Sequence, residues 1–232
     1  MAKVTLQEEK KLWKKGFRFV VGLDESGRGP LAGPVVAAAV LLDSKVKIHN
    51  IRDPKRITSE KRREFYQALT NNPGVFWGVA KVSPKVIDKI NIKNASELAM
   101  EKALFNLEKK IKKRADFLII DGNHLRNLKL KKKKYKLVVK ADEKILSCLA
   151  AGLIAKVWRD KIMVKYHAKY PRYGFNKHNG YPTKYHIKRL RRYGKCAIHR
   201  DSFKYGRTKT KAHKIKKEQK KNASISGKTR LG

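Results

Sequence analysis

Apolar and polar positions alternate in several distinct regimes along the chain. Residues 4–15 place Leu6 and Trp13 on the apolar side of a short amphipathic helix. Residues 17–23, FRFVVGL, read as a strand ending at Asp24-Glu25, and SGRGPLAGP at 26–34 as a loop punctuated by glycine and proline. The unbroken apolar run VVAAAVLL at 35–42 predicts a buried strand. Thr58 fits the N-cap of a helix that runs to residue 70, and VFWGVAKV at 75–82 fits a further strand. Met100, Leu104, Leu107 and Ile111 recur at helical spacing, which predicts a long helix over 95–114. A short strand at 117–120 ends at Asp121-Gly122. The basic run LKLKKKKYK at 128–136 reads as a solvated hairpin tip before a strand at 137–139. A helix over 143–166 carries Ile145, Leu149, Leu153, Ile154 and Val157, and a basic helix is expected at 184–193.

This mixed order of strands and helices predicts an α/β domain with helices packed against a sheet. Composition then narrows the chemistry. The 232 residues are 41% hydrophobic, enough for a buried core, yet 59 Lys and Arg against 19 Asp and Glu give a net charge of +40. Such a field attracts polyanions, and nucleic acid is the expected partner. Charge alone does not separate an enzyme from a protein that only binds nucleic acid. Cys148 and Cys196 are far apart and in no CxxC pair, which argues against a disulfide framework or a structural zinc site. No apolar run reaches the length of a membrane span and no secretory signal opens the chain, so a soluble, cytoplasmic protein is expected. From residue 207 onward the sequence is lysine-rich with almost no large apolar residues, and reads as a disordered basic tail.

Few acids are present, but Asp24, Glu25, Asp121 and Asp142 all fall at or just after the ends of apolar strands. In open α/β sheets, strand ends and their loops build active sites. Converging carboxylates would repel one another and a phosphate, and divalent cations resolve both problems. Oxygen-only ligation favours Mg²⁺ or Mn²⁺ over zinc. Two such ions roughly 3.5–4 Å apart suit phosphodiester hydrolysis. Neighbouring strand residues point to opposite faces, so Asp24 and Glu25 are expected to share a site only if the strand ends between them. Each pair taken alone also fits ordinary turn acids, and Asp142 also fits a helix N-cap. Glu97 and Glu143 read as exposed or first-turn helix acids, and Asp160 as the partner of a nearby basic residue.

The segment VGLDESGRGPLAGPVV at 21–36 closely resembles the signature of the ribonuclease HII family, the type 2 RNases H. The resemblance continues through IRDPKRITSEKRR (51–63), INIKNASELAMEKA (90–103), IIDGN (119–123), VVKAD (138–142), IAKVWRD (154–160), YGFNKHNGY (173–181) and HRDSF (199–203), in the same order. It implies an RNase H-like mixed sheet flanked by helices with a small C-terminal helical region. It also implies a metal site on Asp24, Glu25, Asp121 and Asp142, and a Gly27-Arg28-Gly29 loop against the sugar–phosphate. The family's junction tyrosine matches Tyr181 best, with Tyr173 as the rival position, and Lys55 is left to contact phosphate. Two departures stand out: Asp53-Pro54-Lys55 where the family has Asp-Ser-Lys, and Gly152 where it has serine. These leave substrate affinity and helix stability in question.

The expected activity is endonucleolytic cutting of RNA in RNA–DNA hybrids, and 5′ of ribonucleotides embedded in duplex DNA, by two-metal-ion hydrolysis leaving 3′-hydroxyl and 5′-phosphate ends. The expected organisation is a catalytic core at 1–166, a helical substrate-binding region at 167–206 and the tail at 207–232, acting as a monomer. Two rivals are a non-catalytic nucleic-acid-binding protein, disfavoured because bare acids weaken phosphate binding, and a DNA nuclease of the same fold, disfavoured by the sugar-reading residues.

Overall fold

The computed structural model of the chain describes residues 4–46, 48 and 58–205. Lys55, its neighbours Asp53 and Pro54, and the tail from 207 lie outside the described residues. The elements run α1 (Gln7–Lys14), β1 (Val20–Ser26), β2 (Val35–Leu42), α2 (Ser59–Thr70), β3 (Val75–Val82), α3 (Pro84–Ile90), α4 (Ile92–Ile111), β4 (Phe117–Asp121), α5 (Leu128–Lys131) and β5 (Lys134–Val138). After a 3₁₀ turn at Ala141–Glu143 come α6 (Leu146–Lys169), a second 3₁₀ turn at Pro171–Tyr173, α7 (Phe175–His178) and α8 (Lys184–Tyr193). The strands form one mixed sheet in the order β3-β2-β1-β4-β5, antiparallel across β3-β2-β1 and parallel across β1-β4-β5.

Both faces of the sheet are covered, which explains the unbroken apolar run of β2. Val35, Ala37, Ala39 and Leu41 pack against Ala95, Ala99, Met100, Ala103 and Leu107 of α4. Val36, Ala38, Val40 and Leu42 pack against α6 and Leu69 of α2. Small residues let α6 approach closely: a Cβ on Gly22 of β1 would collide with Ser147 and Cys148. The N-terminus of α6 is capped from another helix, because the buried Glu9 of α1 accepts the Ser147 amide at 2.8 Å.

Several boundaries depart from the sequence reading. β1 begins at Val20, because the amides of Arg18 and Phe19 go to the Asp116 carboxylate (2.8 and 3.0 Å) and not to a ladder. It also runs past Asp24 and Glu25 to Ser26, since its register with β2 continues through Asp24↔Ala38, Glu25↔Ala37 and Ser26↔Val36. The helix expected at 95–114 starts at Ile92 and stops at Ile111, preceded by α3. Asn91, at φ 63°, breaks the chain between them and caps α4 by accepting the amides of Lys93 and Asn94. The basic run is not a hairpin tip. Its first part is α5, and its end joins the sheet as β5, parallel to β4. Lys129, Lys133 and Lys136 there pair with Glu101, Glu108 and Glu8 at 2.8, 2.8 and 2.9 Å. α6 is displaced three residues toward the C-terminus and runs through residue 166, so the expected division at 166/167 falls within a helix.

Thr58 does cap α2, accepting the Lys61 amide, and β3 and α8 have the expected bounds. Cys148 and Cys196 are free, and no helix among the described residues is long and apolar enough to cross a membrane.

The C-terminal elements pack against the β1–β2 loop in a cluster of Leu31, Ala32, Met163, Tyr173, Phe175, Leu190 and Ile198. Three buried histidines sit beside it. The Gly180 amide donates to His178 Nδ1, and the Cys196 amide to His199 Nδ1. Those contacts leave Nε2–H on His178 to donate to the Tyr173 carbonyl, and Nε2–H on His199 to donate to His186 Nε2 at 3.1 Å. His186 then donates from Nδ1 to the Tyr181 carbonyl at 2.9 Å. All three rings are therefore satisfied as neutral tautomers. Burial pushes His186 and His199 down from 6.5 to about 4 and lowers His178 as well.

Because the folded pKa lies below the unfolded one, the contribution to stability is complete above about pH 6.5 and is lost as pH falls toward 4. Urea unfolding of wild type and His199→Asn checks this. The stability advantage of wild type is expected to shrink by about 2 kcal/mol between pH 7 and 5. An advantage that stays constant with pH would contradict the neutral network.

Candidate active site

β1 outruns its neighbour β4. Their parallel register ends at Leu23↔Ile120 and β4 ends at Asp121, so Glu25 and Ser26 have β2 on one side and no strand on the other. A cavity of about 320 Å³ opens there, lined by Asp24, Glu25, Ser26, Asp121, Asp142 and Tyr181, with Arg62 of α2 and Leu149, Gly152, Leu153 and Lys156 of α6. All four acids singled out in the sequence line it. The strand does not end between Asp24 and Glu25, contrary to expectation. Both reach one cavity because the cavity wraps the free edge of β1 and so receives side chains from either face.

Asp24 and Asp121 lie one step beyond the last register pair, on adjacent strands and on the face covered by α6. Asp24 is buried, and its Oδ1 accepts the Glu25 amide at 2.6 Å. Asp121 Oδ1 accepts the Ala141 amide at 2.7 Å, which ties β4 to the 3₁₀ turn bearing Asp142. That turn precedes α6, whose N-cap is Ile145, so Asp142 is not the cap of this helix. Glu25 pairs with Arg28 at 3.1 Å. Gly152 takes on a specific meaning: a Cβ there would collide with the Asp24 carboxylate. Helix propensity at that position is given up for space beside a buried acid.

Burial, and then repulsion from Glu25, Asp121 and Asp142, pushes Asp24 well above the usual carboxylate range. Burial also raises Glu25, although Arg28 opposes the shift. Among the described residues, no three His, Cys, Asp or Glu side chains are drawn together closely enough to enclose a cation. The donor set nevertheless fits one: four carboxylates on one cavity, all oxygen, with a buried member whose ionisation added positive charge would favour. A larger groove of about 770 Å³ beside Trp13, Phe17, Phe19 and Phe76 contains a single carboxylate, Asp43, and no comparable chemistry.

The two tyrosines separate clearly. Tyr173 is buried and donates its hydroxyl to the Gly194 carbonyl at 3.0 Å. Tyr181 is exposed, lines the cavity, and lays its ring against Gly29. Glu97, read as an exposed or first-turn acid, is buried and accepts the amides of Arg126 and Asn127 at 2.8 and 2.6 Å. Asp160 pairs with Lys156 at 2.6 Å, as a locally paired acid should. Sequence reasoning passed over Arg62 and Lys156 as site residues. Lys156 was accessible to it, because Leu149, Gly152, Leu153 and Lys156 recur at helical spacing on one side of α6.

Residues 21–206 match the family model described as Ribonuclease HII. A ribonuclease HII from Caldicellulosiruptor bescii is 45% identical over 195 residues, covering 84% of this chain and 91% of the relative. One from Chlamydia caviae is 44% identical over 203 residues, 88% and 91% of the two chains. Among solved structures, ribonuclease H2 from Pyrococcus horikoshii superposes with a TM-score of 0.64 at 25% identity, covering 86% of this chain and 97% of that one.

Relief of carboxylate crowding is testable without any substrate. Asp24→Asn keeps the acceptor for the Glu25 amide but removes a buried charge, so it is expected to stabilise the divalent-free protein by about 1 kcal/mol or more, raising Tm by a few degrees. Mn²⁺ is expected to raise the wild-type Tm and to lose most of that effect in the variant. Equal Mn²⁺ shifts in both proteins would exclude Asp24 from the site.

Proposed function

The chain belongs to the ribonuclease HII family and is a ribonuclease H, a hydrolytic endonuclease; on that premise we propose that it cuts the RNA strand of RNA–DNA hybrids and the 5′ side of ribonucleotides embedded in duplex DNA. The observation that carries this reading is the meeting of two unlike sets of residues on one cavity: four carboxylates, and a tyrosine packed on a glycine loop. The first set suits phosphodiester hydrolysis and the second suits recognition of a sugar.

Asp24, Glu25, Asp121 and Asp142 are proposed to hold Mg²⁺ or Mn²⁺. Bound there, the ions would generate a water-derived nucleophile at neutral pH and stabilise charge on the leaving 3′ oxygen. The protein need then supply no covalent nucleophile, and the products carry 3′-hydroxyl and 5′-phosphate ends. Asp121 is held in place by the Ala141 amide, and Asp24 by the Glu25 amide and the space at Gly152.

Gly27-Arg28-Gly29 allows the backbone to approach the sugar–phosphate where a side chain would intrude. The exposed Arg28 is within reach of phosphate once its partner Glu25 turns to a cation. The Tyr181 ring is proposed to lie against the ribose at the junction, so that the 2′-hydroxyl decides which bond is cut. Arg62 and Lys156 supply positive charge to the cavity wall, and Lys55 and the basic residues of 207–232 are proposed to add phosphate contacts. A monomer is proposed as the working unit.

The test is end-mapping on a DNA duplex holding a single ribonucleotide, with Mg²⁺ or Mn²⁺ added or chelated. Cleavage 5′ of the ribonucleotide is expected only with the metal. Asp24→Asn and Asp121→Asn are expected to abolish it with duplex binding kept or tightened, and Tyr181→Ala to reduce it sharply in a folded protein. Cutting of an all-DNA duplex at the same rate would replace this reading with a DNA nuclease. Full activity in excess chelator would remove the metal.

A further inference from the structure

Two guanidinium groups lie behind the loop between β1 and β2. Arg159, from α6, is 0% exposed and Arg200 is 1% exposed. A buried cation is costly unless its charge and donors are satisfied. Among the described residues, neither forms an ion pair with a carboxylate. Both direct donors to backbone carbonyls, although Arg159 Nη1 has no hydrogen-bond partner among the described residues. Arg200 donates to Gly27 (Nη2, 2.6 Å), Arg28 (Nη1, 2.9 Å) and Gly33 (Nε, 3.0 Å). Arg159 donates to Pro34 (Nε, 3.0 Å), Ala32 (Nη2, 3.1 Å) and Asn179 (Nη2, 2.9 Å).

Five of those six carbonyls belong to residues 27–34, and the sixth lies two residues before Tyr181. The loop and the tyrosine segment are further joined by the Leu31 amide donating to the Gly180 carbonyl at 2.8 Å. Gly27, at φ +99°, is packed so tightly on Arg159 that a Cβ there would collide with it.

Peptide planarity turns this arrangement into a statement about the cleft. In a trans peptide unit the C=O and the following N–H point in opposite directions. Drawing the carbonyls of Gly27 and Arg28 back onto Arg200 therefore aims the amides of Arg28 and Gly29 the other way. Neither amide has a hydrogen-bond partner among the described residues. A pair of outward amides backed by fixed positive charge is a pre-organised seat for an anionic oxygen.

We propose that Arg159 and Arg200 are positioning residues for ribonucleotide recognition: they hold the carbonyls of the Gly27–Arg28–Gly29 loop so that its amides face the cleft, and they lock that loop to the segment carrying Tyr181. This rests on the function proposed above. Burial lowers both guanidinium groups, and Arg200, at about 9, stays charged at neutral pH. Lysine cannot replace Arg200, because a single ammonium does not span three carbonyls in a plane.

The test compares wild type, Arg200→Lys and a control, Leu104→Ala, in the distant core under α4. Urea unfolding sets the stability of each. Hydrogen exchange is read on peptides covering 27–34, kcat and KM on a duplex with one ribonucleotide, and affinity on an all-DNA duplex. Arg200→Lys is expected to speed loop exchange by about tenfold or more. It should lower kcat by about 10- to 100-fold while all-DNA affinity changes by less than about twofold. The control should lose stability with loop exchange and kcat close to wild type. Wild-type loop exchange and kcat in Arg200→Lys, or an equal loss of kcat in the control, would overturn the proposal. Should Arg200→Lys fail to fold, Arg159→Lys is read against the same outcomes. A wild-type enzyme that ignores the ribonucleotide would sink the functional reading instead, and the exchange data would still decide whether the arginines hold the loop.

Discussion

Asp24 is buried beside Asp121 on adjacent strands, with Glu25 and Asp142 on the same cavity, and both burial and its neighbours oppose its ionisation. Left to itself, such a group of acids would separate. The fold keeps them together by fixing their backbone at places where it cannot yield. β1 is the central strand, bonded to β2 through Ser26. β4 is held between β1 and β5, and β5 leads directly to the turn that carries Asp142. What lets the cavity exist is a mismatch in length: β4 stops at Asp121 while β1 continues, leaving the end of β1 unpaired on that side within the middle of the sheet.

Much of the remaining structure serves that edge. Gly22 lets α6 come down onto β1, and Gly152 leaves room for the Asp24 carboxylate. Glu9 caps α6 from a helix more than a hundred residues away in sequence, and Glu97 holds the chain after β4 by its amides. Around the glycine loop the control is cationic. Arg159 and Arg200 gather the carbonyls of the glycine loop, while the neutral histidine chain fixes the backbone at Gly180 and Tyr181. Four carboxylates and Tyr181 thus line one cavity, and the glycine loop proposed to read the sugar is held from behind by buried arginines.

What was legible in the sequence follows from how local each cause is. The covered sheet was readable from VVAAAVLL, and the start of α2 from Thr58, because burial on both faces and capping are written within a few residues. The four acids were legible because acids after apolar strands are conspicuous in so basic a chain. The start of β1 was misplaced because Asp116 takes the Arg18 and Phe19 amides from about a hundred positions away. The basic run was misread because its lysines meet acids of α4 and α1, and its end finds a parallel partner that no local pattern announces. Tyr173 and Tyr181 lie in the same aromatic, basic stretch, and only the burial of one and the place of the other on the cavity separate them.

The carboxylate cavity is proposed to bring a divalent cation onto the scissile phosphate. Replacing a non-bridging oxygen of that phosphate with sulfur tests it directly, because Mg²⁺ binds sulfur poorly and softer ions bind it well. Cleavage rates are measured for both sulfur diastereomers in Mg²⁺, Mn²⁺ and Cd²⁺. At least one diastereomer is expected to be cut far more slowly in Mg²⁺ and to regain most of its rate in Mn²⁺ or Cd²⁺. A sulfur effect of the same size with every ion would contradict it.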